Sequence, residues 1–310
     1  MDRIVDIATD GLHLSAYRGF LIVALDRQEQ GRVALDDIHA VIVHAHGVTW
    51  TTSLVVALAE RGAIMVLCAA NHAPVAVISP IDGHHAQAAK MRAQWDAPRP
   101  LFKQLWRQLI VAKISMQGSL LAAQGRSEAN ALAMMARRVR SGDPDNLEAQ
   151  AARKYWPALM GANFRRDQNA DGANALLNYG YTIMRSCVAR AIIGAGLHPT
   201  IGLHHHNRLN GFALADDLVE PFRPLVDALV LRMIGEGVEA VSPDAKKRLA
   251  RLIAHDVRLG GAISPVSVAT QRLAQSLARS FEERKSALTL FDPPDALNWA
   301  SLGQPAEIEA

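Results

Sequence analysis

The chain has 310 residues, half of them hydrophobic and 5% aromatic, with a formal net charge of +3 and a pI near 9.0. That composition supports a packed core and excludes an intrinsically disordered chain, while the length suggests two domains at about 150 residues each. Two distant cysteines, Cys68 and Cys187, exclude a disulfide framework or a cysteine-based zinc site and point to a reducing, cytoplasmic setting. The start, M-D-R-I-V-D-I-A, lacks the apolar run of a signal peptide, and no stretch of 18 apolar residues exists, so no membrane span is expected. The mild positive charge is compatible with a polyanionic partner.

Taken in order, the chain opens with short Val-, Ile- and Leu-rich runs at Ile4–Ala8, Leu12–Tyr17, Phe20–Leu25, Arg32–Leu35 and Ala40–His44, punctuated by Gly11, Gly19, Gly31 and Asp36-Asp37. These read as strands. Thr51-Thr52-Ser53 offers caps to a helix over Leu54–Glu60, stopped by Gly62. Ile64–Cys68 and Val75–Ser79 read as buried strands, and Pro80–His85 as a linker. From Ala86 the apolar period becomes helical. Helices are expected at Gln87–Gln94, Leu101–Ala123, Ala129–Arg137, Leu147–Leu159, Ala173–Ala195, Gly211–Val219, Leu225–Gly235, Pro243–Arg258 and Ser267–Ser286. The fold class is therefore α+β: a small β-rich domain over residues 1–80, a larger all-α domain over 81–290, and an irregular tail over 291–310 with Pro293, Pro294, Gly303 and Pro305.

The densest chemistry lies between Gly202 and Pro224, which holds three adjacent histidines, His204, His205 and His206, followed by Asp216, Asp217 and Glu220. Asp217 and Glu220 are three apart, so on a helix they share a face. Pro199 and Gly202 mark a loop before them, and Pro221 marks a helix end or restart. A loop presenting imidazoles toward carboxylates suits a divalent ion such as Mg²⁺ or Mn²⁺. The bland alternative is a solvated polar face. A third ligand from elsewhere decides between them, and Glu148 is the candidate. It opens a helix in D-P-D-N-L-E-A, where Asp145 or Asn146 can cap, although a first-turn acid is routine in any helix.

The surrounding motifs are more specific. N-L-E-A-x-A-A-x-x-Y-W from Asn146, F-R-R-D at Phe164–Asp167 and N-x-x-L-N-Y-G-Y at Asn174–Tyr181 come first. G-x-x-H at Gly202–His205, N-x-F-x-L-A-x-D-L-x-E-P-F-R-P at Asn210–Pro224, and Val226-Asp227 follow in order. With Ile38–Val43, the T-T-S-L-V-V-A-L-A-E-R-G run from Thr51, H-x-P at His72–Pro74 and Gly83–Gln87, the sequence resembles the CRISPR-associated adaptation endonuclease-integrase family in its type II flavour, over about residues 1–290.

By that resemblance the implied catalytic and metal-holding residues are Glu148, His205 and Glu220. His205 completes G-x-x-H and lies fifteen residues before Glu220. Asp217 falls where the family often has another acid, as a supporting or alternate ligand. His204 departs from the family pattern, and His204 and His206 read as loop histidines in water. The implied activity inserts short foreign DNA into a CRISPR array by transesterification, with Mg²⁺ or Mn²⁺ as cofactor and water as the alternative nucleophile. No G-x-x-x-x-G-K-[ST] loop is present, which agrees with a reaction that needs no nucleotide hydrolysis. The implied partners are DNA, a second copy of the chain through the β-rich domain, a dimer of the small adaptation subunit completing a hetero-hexamer, and further type II CRISPR proteins. Basic clusters at Arg137–Arg140, Arg165-Arg166, Lys246–Arg251 and Arg279–Lys285 could meet DNA phosphates. The rival readings are a DNA-binding scaffold with an unused metal site and a metal-dependent hydrolase of another phosphodiester or small molecule.

Overall fold

A computed structural model describes residues 3–69, 74–81, 86–205, 207 and 210–302. Its N-terminal region builds two four-stranded sheets. Strands β1 (Arg3–Ile7), β2 (Leu12–Tyr17), β3 (Phe20–Leu25), β4 (Gln28–Ala34), β5 (Ile38–Val43) and β6 (Thr49–Trp50) precede helix α1 (Thr52–Glu60), and β7 (Ile64–Cys68) and β8 (Pro74–Ile78) follow it. One sheet has the order β4-β3-β2-β6, an antiparallel meander with one short parallel pairing at its edge. The other has the order β1-β5-β7-β8, parallel except for β8. Thr51 caps α1 by accepting from the Leu54 amide at 3.3 Å, as the Thr-Thr-Ser run predicts.

Every residue of β5 is buried, because both faces of its sheet are covered. Val41 and Val43 face the meander and α1, together with Leu14, Leu21 and Leu54. Ala40 and Ile42 face the other way, with Ile64 and Val66 of β7, into the same core as the helices. Helix α6 packs on β5, and Arg190 of α6 donates to the Gly62 carbonyl at 2.9 Å. The strands thus carry half of the joint between the two regions.

The rest is mostly helical: α2 (Gln87–Trp95), α3 (Arg99–Ala123), α4 (Glu128–Arg138), α5 (Leu147–Met160), α6 (Ala173–Gly194), α7 (Ala213–Leu218), α8 (Arg223–Gly235) and α9 (Pro243–Ala250). A short antiparallel hairpin, β9 (Asp256–Leu259) with β10 (Ala262–Pro265), then leads to α10 (Val266–Glu283) and α11 (Ala296–Ser301). The chain is α+β, strand-rich first and helical after.

Two elements differ from the sequence expectation. The helix expected through Arg258 ends in a 3₁₀ turn at Arg251–Ala254, because Gly260 and Gly261, both at positive φ, turn the hairpin behind it. Part of the tail expected to be irregular forms α11 instead, capped by Asp295 and anchored by buried Trp299, whose indole donates to Ser119 of α3 at 2.9 Å. The His72–Pro74 and Gly83–Gln87 motifs lie partly outside the described residues, as does His206.

Candidate active site

Helix α3 supplies the floor of the site. Trp106, Ile110, Lys113 and Gln117 recur at spacings of four, three and four, so they form one stripe, and all four are buried. The start of α5 lies over it. Asn146 takes a left-handed conformation (φ 51°) and accepts from the Ala149 amide at 3.3 Å. Asp143 accepts from the amides of Leu147 at 2.9 Å and Glu148 at 3.0 Å, so two of the free donors at the helix start are held by one carboxylate. Asp145, the other proposed cap, pairs with Arg140 instead. This capping fixes the first turn and aims Glu148 at Lys113, with Nζ 2.6 Å from Oε1.

Glu220 comes from the opposite side, on a 3₁₀ turn at Glu220–Phe222 between α7 and α8. It is only 4% exposed. Its Oε2 lies 2.5 Å from the same Lys113 Nζ, and its Oε1 accepts from Arg223 Nε at 2.9 Å. Burial alone would raise this carboxyl, but the charges of Arg223 and Lys113 outweigh it and hold it at about 2. The same balance runs in reverse at Lys113, where burial opposes the charge and the two glutamates keep the ammonium protonated, with its pKa raised.

The histidine loop is tied down at several points. Asp217, fully buried on α7, accepts from the amides of Leu203 at 2.5 Å, His204 at 3.0 Å and His205 at 3.3 Å, and bonds His205 Nδ1 at 2.6 Å. That last bond, ahead of the cost of burial, raises the His205 pKa. It also leaves Nε2 as the imidazole's outward atom. The oxygens of Asp217 are thus committed to holding the loop and orienting His205. A Cβ on Gly202 would lie 2.6 Å from the His205 carbonyl and 2.9 Å from Asp217 Oδ2, so only glycine allows this close approach. Upstream, buried Gln94 of α2 donates to the carbonyls of His198 and Ile201. Downstream, Arg185 and Asn210 both hold Asp216. His204 is solvent-exposed, as a loop histidine should be, but its ring is not surrounded by water alone. It stacks flat on Trp106, 4.4 Å between centroids, while His205 meets the same indole edge-on at 6.0 Å.

A buried network backs Glu220. Asp227 of α8 accepts from the hydroxyls of Tyr155 (2.8 Å) and Tyr181. Arg223 lies over the Tyr181 ring at 4.5 Å and Arg166 at 5.4 Å, and Arg166 also donates to Asn174 and Asn178. The F-R-R-D, N-Y-G-Y and V-D motifs therefore converge on one scaffold that positions Arg223 beside Glu220. Gly180 allows this packing, since a Cβ there would sit 2.4 Å from Val226 Cγ1.

The structure brings Glu148 and Glu220, 72 positions apart, onto one cation, and sets His205 beside the same Trp106–Lys113 stripe. Among the described residues no three His, Cys, Asp or Glu side chains are already spaced to hold a metal ion. The donor chemistry nonetheless fits one. Two carboxylates converge on a cationic stand-in, the Lys113 ammonium, which lies 2.6 Å from Glu148 Oε1 and 2.5 Å from buried Glu220 Oε2. Beside His205 opens a groove of about 1150 Å³, bordered by Trp95, Arg99, Phe102, Lys103 and Asn207. The residues that sequence reasoning missed are Lys113, Trp106, Asp143 and Gln94. The signal for Lys113 was a lysine in the apolar stripe of α3.

The fold is shared with solved structures of low sequence identity. A solved casposase bound to integration product superposes with a TM-score of 0.78 over 93% of this chain and 92% of that one, at 20% identity. A Cas6-RT-Cas1–Cas2 complex matches with a TM-score of 0.75 over 94% of this chain and 36% of that one, at 18% identity. In sequence, the CRISPR-associated endonuclease Cas1 of Neisseria meningitidis serogroup C (strain 8013) is 35% identical over 253 residues, covering 81% of this chain and 83% of that protein. The family described as CRISPR associated protein Cas1 matches residues 5–248, and the chain belongs to that family.

Proposed function

We propose that this chain is a divalent-metal-dependent DNA endonuclease-integrase of CRISPR adaptation, with Glu148, His205 and Glu220 as its metal-holding residues. The observation that carries the proposal is the convergence of Glu148 and Glu220 on a single cation, 2.6 and 2.5 Å away, from two sequence-remote elements. A bound Mg²⁺ or Mn²⁺ supplies Lewis-acid stabilisation of a phosphate and activation of a hydroxyl or water. The rest is done by the protein. Glu220 stays ionised because Arg223 holds its second oxygen, and Asp217 turns His205 so that Nε2 faces outward. Arg99 and Lys103 border the groove beside His205, where a DNA end carrying phosphates would lie.

The implied chemistry is exchange of one phosphodiester for another. A 3′-hydroxyl attacks phosphorus, loses its proton to solvent or a base, and the displaced 3′-oxygen leaves with a proton. Water as nucleophile turns the same site into a nuclease. Relatives named as endonucleases, and neighbours described with an integration product and with Cas2, support the activity and the partners. The proposed assembly is a hetero-hexamer, two homodimers of this chain bridged by a dimer of the small adaptation subunit, working with other proteins of a type II system.

The test is Glu148→Ala. Glu148 is partly exposed, its amide is held by Asp143 and the next amide, that of Ala149, by Asn146, so the fold persists. Strand transfer is expected to vanish while binding of duplex DNA remains. Wild-type integration by this variant would refute the assignment.

A further inference from the structure

Lys113 is a charged residue in an otherwise apolar helix stripe, and it is buried. Its ammonium bridges Glu148 and Glu220, while Arg223 takes the other Glu220 oxygen. Two carboxylates and two cations make this cluster neutral as it stands. Adding a divalent ion at the carboxylates would leave a buried positive surplus, only partly offset by Asp217 behind His205, while the ammonium still sits against both glutamates. In a poorly solvated site such a surplus is strongly unfavourable. The lysine and the metal therefore compete for the same oxygens.

We propose that Lys113 is the resident counter-ion of the glutamate pair: it yields its place to the divalent ion and carries its freed ammonium to a phosphate of bound DNA, so that metal and DNA bind cooperatively. Lys113 has the means to move. Its four-carbon stem is flexible and its head is a compact point charge, unlike the rigid fork of Arg223, which stays with Glu220. The direction of movement is limited by the stripe. Trp106 lies two turns toward the N-terminus of α3, beside the histidine loop and the groove that Arg99 and Lys103 border. A phosphate arriving there offsets the surplus charge, and by linkage the metal strengthens DNA binding by the same factor that DNA strengthens metal binding. Without DNA the lysine keeps the glutamates paired, which restrains the site from acting on other phosphodiesters.

The inference rests on the metal-dependent reading above, and the experiment separates the two. Mn²⁺ binding to the full chain is measured calorimetrically, with and without a short duplex, for wild type, Lys113→Met, Lys113→Gln, Lys113→Arg and Glu220→Gln. In wild type the duplex is expected to tighten Mn²⁺ binding at least fivefold. Lys113→Met and Lys113→Gln are expected to bind Mn²⁺ without DNA at least tenfold more tightly than wild type, and to lose the duplex effect. Lys113→Arg is expected to stay as weak as wild type. Two unpaired glutamates lower the melting temperature of the Met and Gln variants in metal-free buffer, so thermal melts accompany the titrations. Mn²⁺ is expected to raise their melting temperature more than it raises that of wild type. If wild type binds Mn²⁺ in a manner sensitive to Glu220→Gln but the Met and Gln variants gain nothing in affinity or melting shift, the counter-ion role is overturned and the metal site stands. Wild-type Mn²⁺ binding indifferent to Glu220→Gln overturns both.

Discussion

At the scale of single residues, the three consecutive histidines have separable fates. His205 is bonded through Nδ1 to Asp217 and presents Nε2, whereas His204 lies flat on Trp106. Replacing His205 by Ala is therefore expected to remove strand transfer. His204→Ala loses a stacking contact worth about 0.5–1.5 kcal/mol, about a two- to tenfold effect, and His206→Ala is expected to keep most activity. An integration assay on the three variants checks this: a dead His204→Ala beside an active His205→Ala would shift the register of the motif by one residue. The choice of His205 came through the family resemblance, which gives G-x-x-H and the fifteen-residue interval to Glu220 their meaning. Trp106 and Asp143 were not legible in the sequence. Trp106 reaches the histidine loop across a tertiary contact, and nothing local distinguishes an indole that packs in a core from one that supports a loop, whereas Asp143 acts locally but stood behind two nearer candidate caps, Asp145 and Asn146.

At the scale of elements, the site depends on how α6 and α8 meet. Gly180 lets Val226 close in, and that contact buries Asp227 between Tyr155 and Tyr181. Burial pushes the Asp227 carboxyl up to about 6, against the lowering effect of the two hydroxyls. The folded chain then holds a proton that the unfolded chain, with the ordinary aspartate value of 3.8, releases earlier. Its contribution to stability is present below pH 3.8 and is lost as pH rises to about 6. The loss amounts to roughly 3 kcal/mol at most. Glu220 acts in the opposite sense and lower down, contributing stability above pH 4.5 that is lost as pH falls toward about 2. Between pH 4.5 and 6.5 the Asp227 effect therefore stands alone of the two. Asp227→Asn is expected to be offset from wild type by a gap that narrows, or turns in its favour, as pH rises through that window. Urea unfolding midpoints at half-unit steps measure it, and parallel curves for the two proteins would contradict the shift. The elements themselves were largely readable. β2, β3 and β7 fall where short apolar runs set off by Gly11, Gly19 and Gly62 place them. The hairpin of β9 and β10 was concealed because an Ala- and Leu-rich run continued the helical period into it, although V-R-L-G-G-A-I-S carries the Gly-Gly turn that ends a helix and pairs two strands.

At the scale of the molecule, the β-rich region does two jobs that the sequence did not separate. It contributes Ala40, Ile42, Ile64 and Val66 to the helical core, so removing residues 1–80 would strip one wall from that core and expose α6. A truncation is therefore a poor probe of assembly, since it damages the catalytic half as well. The proposed insertion of a DNA segment needs chemistry at two ends, and one chain offers one candidate site, so that proposal calls for at least a two-fold dimer, the commonest symmetric form. Exposed apolar side chains remain on the first region. Tyr17 is 59% exposed and Val75 67%, with Phe20 beside Tyr17 in the β2–β3 register, and β4 and β8 are strand edges of their sheets. The full chain is expected to scatter light as a particle near twice 33.6 kDa. Arginine at both Tyr17 and Val75 places charge on that surface without touching the shared core, and the double variant is expected to run as a folded monomer. It should still nick DNA, since each site is complete in one chain, but fail to join both ends of a segment. A double variant that remains dimeric with full two-ended insertion would put the dimer contact on the helical half instead.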